Sequence, residues 1–271
     1  MAFSPPTLGS ETIAHIGSFP IRNSMLMAWV AMAILIIVGV IYRKKGSNLV
    51  PKGFQNFVES IIELLFNFFN SVTQDKKQAR RFFPIVATIF LFVILSNWMG
   101  ILPGVGPIGF HEKESEIHET VAGSAEVKGE EKEVFIPYFR SAYADVNMTL
   151  ALAIISIIVT QIYGIASLGF FSYAGKFFVN PLKDPIGTFV GLLELVSEIA
   201  KVISFTFRLF GNIFAGEILL TVISFLVPYL APLPFYGLEI FVGFVQALVF
   251  SVLTLVFMKG AVASHHKEAH A

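Results

Sequence analysis

Residues 186–227 read IGTFVGLLELVSEIAKVISFTFRLFGNIFAGEILLTVISFLV, an apolar run that nevertheless carries Glu194, Glu198, Lys201, Arg208 and Glu217. As one helix rising about 1.5 Å per residue it would extend about 63 Å, twice the ~30 Å hydrocarbon thickness of a bilayer. Its first proline is Pro228, at its end, so a proline break is excluded. Gly187, Gly191, Gly211 and Gly216 permit bending, but steep tilt is the simpler expectation, although membrane helices incline by only about 20° on average. Pro228, Pro232 and Pro234 turn the chain into a last apolar segment, 235–258, which makes 186–258 an oblique helical hairpin.

The rest of the chain explains why such a helix is tolerated. Hydrophobic residues make up 55% of the 271 positions and charged residues only 14%, against about 25% charged in soluble domains. The fold class is therefore an all-α integral membrane protein, one membrane domain over 1–271. Segments 24–42, 83–101, 146–168, 186–227 and 235–258 are each long enough to cross. The zero net charge points away from a nucleic-acid partner, and the absence of cysteine removes disulfides, thiolate nucleophiles and zinc–thiolate sites. There is neither a nucleophile–base pair nor an HExxH pattern, so a membrane-embedded hydrolase is not supported. No metal or cofactor is expected.

Orientation follows from the basic residues. Arg43–Lys45, Lys52, Lys76, Lys77, Arg80, Arg81, Lys176, Lys183 and Lys259 all fall on one side, which the positive-inside rule makes the inner one. The N-terminal segment 1–23 and the loop 104–145 are then outside, and the C-terminus inside. The N-terminus lacks the basic start of a signal peptide. Residues 51–73 place Phe54, Phe57, Ile61, Leu65, Phe68 and Val72 at three/four spacing, as an amphipathic helix on the inner surface or against another subunit. The outer loop holds nine acids against four bases, read as a solvated acidic loop. The tail SHHKEAH is read as a solvated terminus.

Turning about 100° per residue, Glu194, Ser197, Glu198, Lys201, Ser204, Arg208 and Asn212 all fall within an arc of about 120°. Glu217 lies on a different face. On the last segment Glu239 and Gln246 are seven apart and share a face. Each intramembrane charge costs about 2.5–3.5 kcal/mol to insert, so each needs a partner, a watery cavity or a function. Mutual pairing of Glu194, Glu198 and Lys201 is the competing structural account for those three, and simple burial or mutual hydrogen bonding for Glu217 and Glu239. Arg208 has no acceptor and does not deprotonate, so it presents only a permanent charge and a fork of donors. Glu217 and Glu239 can exchange protons. A fixed cation flanked by titratable carboxyls at other depths is what a proton route with a barrier requires.

RLFGNIFAGE (208–217) closely resembles the signature of the subunit a family of rotary F-type ATP synthases, and ADVNMTLALA (144–153) resembles that family's fourth-helix entry. Gln246 within LEIFVGFVQALVFSVLTLV fits as well. The resemblance implies that Arg208 faces a rotating ring of c subunits, with Asn212 and Gln246 as polar neighbours beside it. It implies an outer half-channel through Glu217 and Glu239, with Asn147 and Asp145 at its mouth, and an inner half-channel lined by Glu194, Ser197, Glu198 and Lys201. Protons are the expected cargo. The implied partners are the c-ring, the b subunits of the peripheral stalk, other ATP synthase subunits and lipid, in a bacterial inner membrane. Two positions depart from the family pattern: Glu217 and Glu239 are both glutamates where many relatives pair glutamate with histidine, and Val202 stands where a proline often follows the basic residue. The alternative class, a stand-alone secondary transporter with the polar stripe as substrate site, usually shows paired repeats, and no second copy of the arginine segment occurs.

Overall fold

The structure, a computed structural model, describes residues 9–44, 53–102, 105, 108–114, 132–177, 185–228 and 230–263. A short hairpin of β1 (Thr12–Ile16) and β2 (Phe19–Arg22) leads into α1 (Asn23–Lys44), followed by α2 (Phe54–Thr73) and α3 (Lys76–Gly100). A second antiparallel hairpin, β3 (Gly109–Glu114) with β4 (Lys132–Pro137), and one 3-10 turn at Ala142–Ala144 precede α4 (Val146–Leu168). The chain ends in α5 (Phe170–Ala174), α6 (Pro185–Leu226) and α7 (Pro232–Val262). Five of these helices, α1, α3, α4, α6 and α7, are long and apolar enough to span a bilayer.

Local chemistry sets the helix ends. Gln74 adopts the left-handed conformation at φ 57° and its N–H donates to the Asn70 carbonyl, which stops α2. Asp75 then caps α3, accepting from the Lys77 N–H at 2.8 Å and the Gln78 N–H at 3.4 Å. Asp145 caps α4 in the same way, accepting from the Asn147 N–H at 2.9 Å. α6 continues unbroken for 42 residues, as the absence of an interior proline allows.

α7 is the hub, packing on α2, α3, α4 and α6. Phe69, Phe82, Val86, Phe90, Phe205, Leu209, Phe250, Leu255 and Met258 form the buried centre. The Phe205 ring lies 4.6 Å from that of Phe250 and stacks on Phe257 at 5.5 Å. Between helices in lipid there is little hydrophobic gain, because acyl chains are as apolar as leucine; close fit and interhelical hydrogen bonds hold the bundle instead. Those bonds are present: Ser156 to Thr254 at 2.8 Å (α4 to α7), and Asn97 Nδ2 to the Gly243 carbonyl at 3.0 Å (α3 to α7). Gly164 lets α4 approach so closely that a Cβ there would stand 2.5 Å from the Tyr173 ring. Outside, α6 exposes Leu193, Val196, Ile203 and Phe207 to the surroundings, as a lipid- or subunit-facing helix does.

The expected crossings coincide with the five long helices, with α3 beginning seven residues earlier than its apolar stretch because Lys76–Arg81 forms its polar first turns. In α2 the amphipathic register is present, but the buried edge is Gln55, Leu65, Phe69 and Thr73, while Phe57 and Leu64 face outward. The connection 104–145 contains a β-hairpin that hydropathy alone did not foreshadow. Its stretch 115–131, where most of its acids fall, lies outside the described residues, as does the tail 264–271.

Candidate functional site

The polar residues of α6 separate into two groups along its axis, with Arg208 between them. At the end that carries the β-hairpins, Glu217 is held by Arg140, which comes from the stretch just before α4. Arg140 Nε donates to Glu217 Oε1 at 3.0 Å and Nη2 donates to Oε2 at 3.1 Å, a two-pronged grip. Its remaining arm, Nη1, donates to the Gly9 carbonyl at 2.8 Å. Arg140 is 5% exposed and the Glu217 side chain 28%, so the pair is part-buried, with the guanidinium on its inner side.

Glu239 reaches the same neighbourhood from α7. It is buried, and its carboxyl rests on the bare backbone of Gly216: an added Cβ there would lie 2.0 Å from Oε1. Asp145 sits nearby in sequence but is differently occupied. Its carboxylate takes hydrogen bonds from Ser10 and Ser24 hydroxyls, from Arg22 Nη1 at 3.4 Å and from the Asn147 N–H. Burial pushes its carboxyl up, but the Ser10, Asn147 and Arg22 donors outweigh it and hold the group below the usual aspartate value. Asp145 thus caps α4 and pins the N-terminal segment. Asn147 is exposed at the first turn of α4.

At the opposite end, Glu194 pairs with Lys176 Nζ at 2.8 Å. Glu198 accepts from Lys201 Nζ at 2.6 Å and from Gln161 Nε2 at 2.9 Å, and Gln161 in turn accepts from the Tyr173 hydroxyl. The Tyr173 phenol is pushed up to about 12 by burial and then by the charges of Glu198 and Glu194. Lys201 Nζ also stands 4.8 Å above the Phe257 ring. Pairing within the trio therefore covers only Glu198 and Lys201; Glu194 turns to the α5 side.

Between these groups lies an open cleft of about 260 Å³, lined by Ser197, Ala200, Lys201, Ser204 and Arg208 of α6 and by Leu253 and Phe257 of α7, with Phe205 as its floor. Arg208 is exposed at its rim and makes one long hydrogen bond, to the Ser204 hydroxyl at 3.4 Å. Among the described residues no carboxylate pairs with it. Asn212 and Gln246 are half-buried on α6 and α7.

Sequence reasoning passed over Arg140, Gln161, Tyr173, Lys176 and Gly216. Gln161 carried a usable signal, since it is a lone amide within an apolar crossing. Arg140 and Lys176 were counted only as topology charges; nothing local in their surroundings names a partner 77 or 18 positions away.

Comparison with known proteins identifies the family. A family model described as ATP synthase A chain matches residues 25–259. The chain is similar to ATP synthase subunit a of Syntrophobacter fumaroxidans, 30% identical over 263 residues, covering 96% of this chain and 92% of that one. It is also similar to ATP synthase subunit a of Campylobacter jejuni strain 81-176, 33% identical over 230 residues and covering 85% and 86% of the two chains. For that of Moorella thermoacetica the identity is 28% over 253 residues, with 93% and 96% covered. Five apolar crossings, the arginine segment on a single long helix and a match spanning most of the chain make this a multi-pass membrane protein belonging to the ATP synthase subunit a family.

Proposed function

We propose that this chain is the ion-translocating stator subunit of the membrane sector of a rotary F-type ATP synthase, with two proton half-channels that end on the c-ring and are kept apart by Arg208. The observation that carries the reading is the setting of Arg208. A permanent cation stands exposed, without a carboxylate of its own chain among the described residues, within a largely apolar helix. Beside it Ser197, Ala200, Ser204, Gly211 and Ala215 are all exposed, a strip of small residues on which another helix can lie closely. Such a strip, with that cation on it, suits a partner helix that is apolar and singly anionic.

The steps follow from charge. A proton entering from the hairpin side, taken as outside, reaches a rotor carboxylate by way of Glu217 and Glu239, with Asn147 and Asp145 near the mouth. Neutralised, that carboxyl can leave the stator and face lipid. After nearly a full turn it returns, ionises towards Arg208 and releases its proton through the cleft lined by Ser197 and Lys201, with Glu194 and Glu198 beyond. Arg208 lies nine residues, about 14 Å along the axis, from Glu217, and its charge repels any proton that would pass directly. The membrane potential supplies about 2.3 kcal/mol per charge per 100 mV. The c-ring, the b subunits of the peripheral stalk and the remaining ATP synthase subunits are the partners, in a bacterial inner membrane with the N-terminus outside and the C-terminus inside.

Arg208→Ala should abolish ATP-driven proton pumping in inverted vesicles containing the assembled complex. Undiminished pumping would refute the mechanism. Purification in mild detergent should bring the c-ring and stalk with this chain.

A further inference from the structure

The two glutamates at the hairpin end look interchangeable in sequence, yet the structure gives them opposite surroundings. Both carboxylate oxygens of Glu217 are engaged by Arg140, at 3.0 and 3.1 Å, and the Arg140 side chain is 6% exposed against 28% for Glu217. To take up a proton, Glu217 would have to give up its charge-assisted fork with a buried guanidinium. Glu239, on α7, has no cation paired with it among the described residues and lies against Gly216, one position from Glu217. Arg140 itself is fixed from behind by the Gly9 carbonyl.

We propose that Arg140 is a positioning residue for the outer route: it clamps Glu217 as a fixed anion, so that Glu239 alone acts as the carboxyl that exchanges protons at this end. This rests on the stator reading above. The physical point is division of labour. A clamped carboxylate supplies a stationary negative charge that attracts protons into the mouth, whereas an unclamped one can load and unload. Two free carboxyls side by side would instead share one proton and hold it.

The test uses the complete ATP synthase in inverted membrane vesicles, with ATP-driven pumping normalised to assembled complex on native gels. Arg140→Gln should lower pumping at least tenfold, because Glu217 is left without the fork that positions it in a part-buried site. Arg140→Lys, a point charge without the fork, should fall between it and the wild type. The double variant Arg140→Gln/Glu217→Gln removes both charges and should pump several-fold better than Arg140→Gln alone. Glu239→Gln should block pumping. Wild-type pumping by Arg140→Gln, a double variant no better than the single, or normal pumping by Glu239→Gln each overturns the proposal. If Arg140→Gln fails to assemble, the double variant is read directly: pumping supports the clamp and its absence overturns it. Arg208→Ala is run alongside. Pumping there would refute the stator reading itself, whereas an inactive Arg208→Ala beside a normal Arg140→Gln refutes only the clamp.

Discussion

The hairpin end of α6 and the stretch around its middle carry similar polar residues and hold them in opposite ways. At the hairpin end three acids are packed: Glu217 in the grip of Arg140, Glu239 on Gly216, Asp145 among four donors. Around the middle Ser197, Lys201, Ser204 and Arg208 border an open cleft. A packed polar site depends on the position of each atom, because a displaced carboxyl finds no water to replace the lost contact. An open one tolerates rearrangement, since solvent can stand in. The same helix thus has a packed end and an open middle, and substitutions of equal size should be felt unequally.

The largest contrast should come from adding one methyl group. In Gly216→Ala the new Cβ would fall 2.0 to 2.5 Å from three carboxyl atoms of Glu239. Because those atoms end a flexible side chain, the carboxyl should swing aside and the fold survive. Pumping should drop roughly tenfold, the equivalent of about 1.4 kcal/mol in barrier, with the complex still assembled. Gly211→Ala is the matching change five residues earlier, where a Cβ meets nothing within 4 Å of its own chain. It should leave the isolated chain's thermal stability intact and lower pumping only a few-fold, through crowding of the partner helix. Equal effects from the two would break the distinction between the packed end and the open middle of the helix.

A smaller and more local effect is expected at Asp145. Its folded value lies below the ordinary one, so its contribution is complete above the usual aspartate value of about 3.9 and is lost as pH falls through the lower folded value. Hydrogen-exchange protection over 9–24, corrected for intrinsic rates, should hold from neutral pH down to about 4 and decline below it. Asp145→Asn keeps the helix cap but loses the charge that attracts Arg22. It should therefore weaken protection by about 1–2 kcal/mol at neutral pH and remove the acid-dependent step. An unchanged pH profile in the variant would show that another group anchors this segment.

The parts of this structure that were legible in the sequence share one property: they are encoded by neighbours. Hydropathy over 20 or so residues marks each crossing, and the absence of proline before Pro228 foretells an unbroken α6. The angular stripe from Glu194 to Arg208 is likewise local, and it does border the cleft at Ser197, Lys201, Ser204 and Arg208. What stayed hidden depends on chain paths through connections. Arg140 is one base in an acidic loop until the chain brings it to Glu217, and the two β-hairpins owe their register to backbone pairing that hydropathy does not report. Asp145 reads as a polar group at a channel mouth, and three of its four donors come from residues more than 120 positions away. In a membrane protein the apolar pattern says which segments cross, but the apolar surfaces are chemically alike. Which segments meet is decided by a few polar contacts and close-packed glycines.

Ser156→Ala measures such a contact away from both ends. The Ser156–Thr254 bond is buried between α4 and α7, and Thr254 also donates to the Phe250 carbonyl at 2.9 Å. An interhelical hydrogen bond of this kind contributes about 0.6 kcal/mol on average, because a separated helix in lipid still satisfies its hydroxyl on its own backbone. The variant should lower the Tm of the detergent-solubilised complex by a degree or two at most and leave pumping unchanged. Its value is as a reference for the other changes. If removing a hydroxyl from mid-bundle impaired pumping as much as Gly211→Ala, transport would respond to general loosening of the helices, and the contrast between the packed end and the open middle of α6 would be lost.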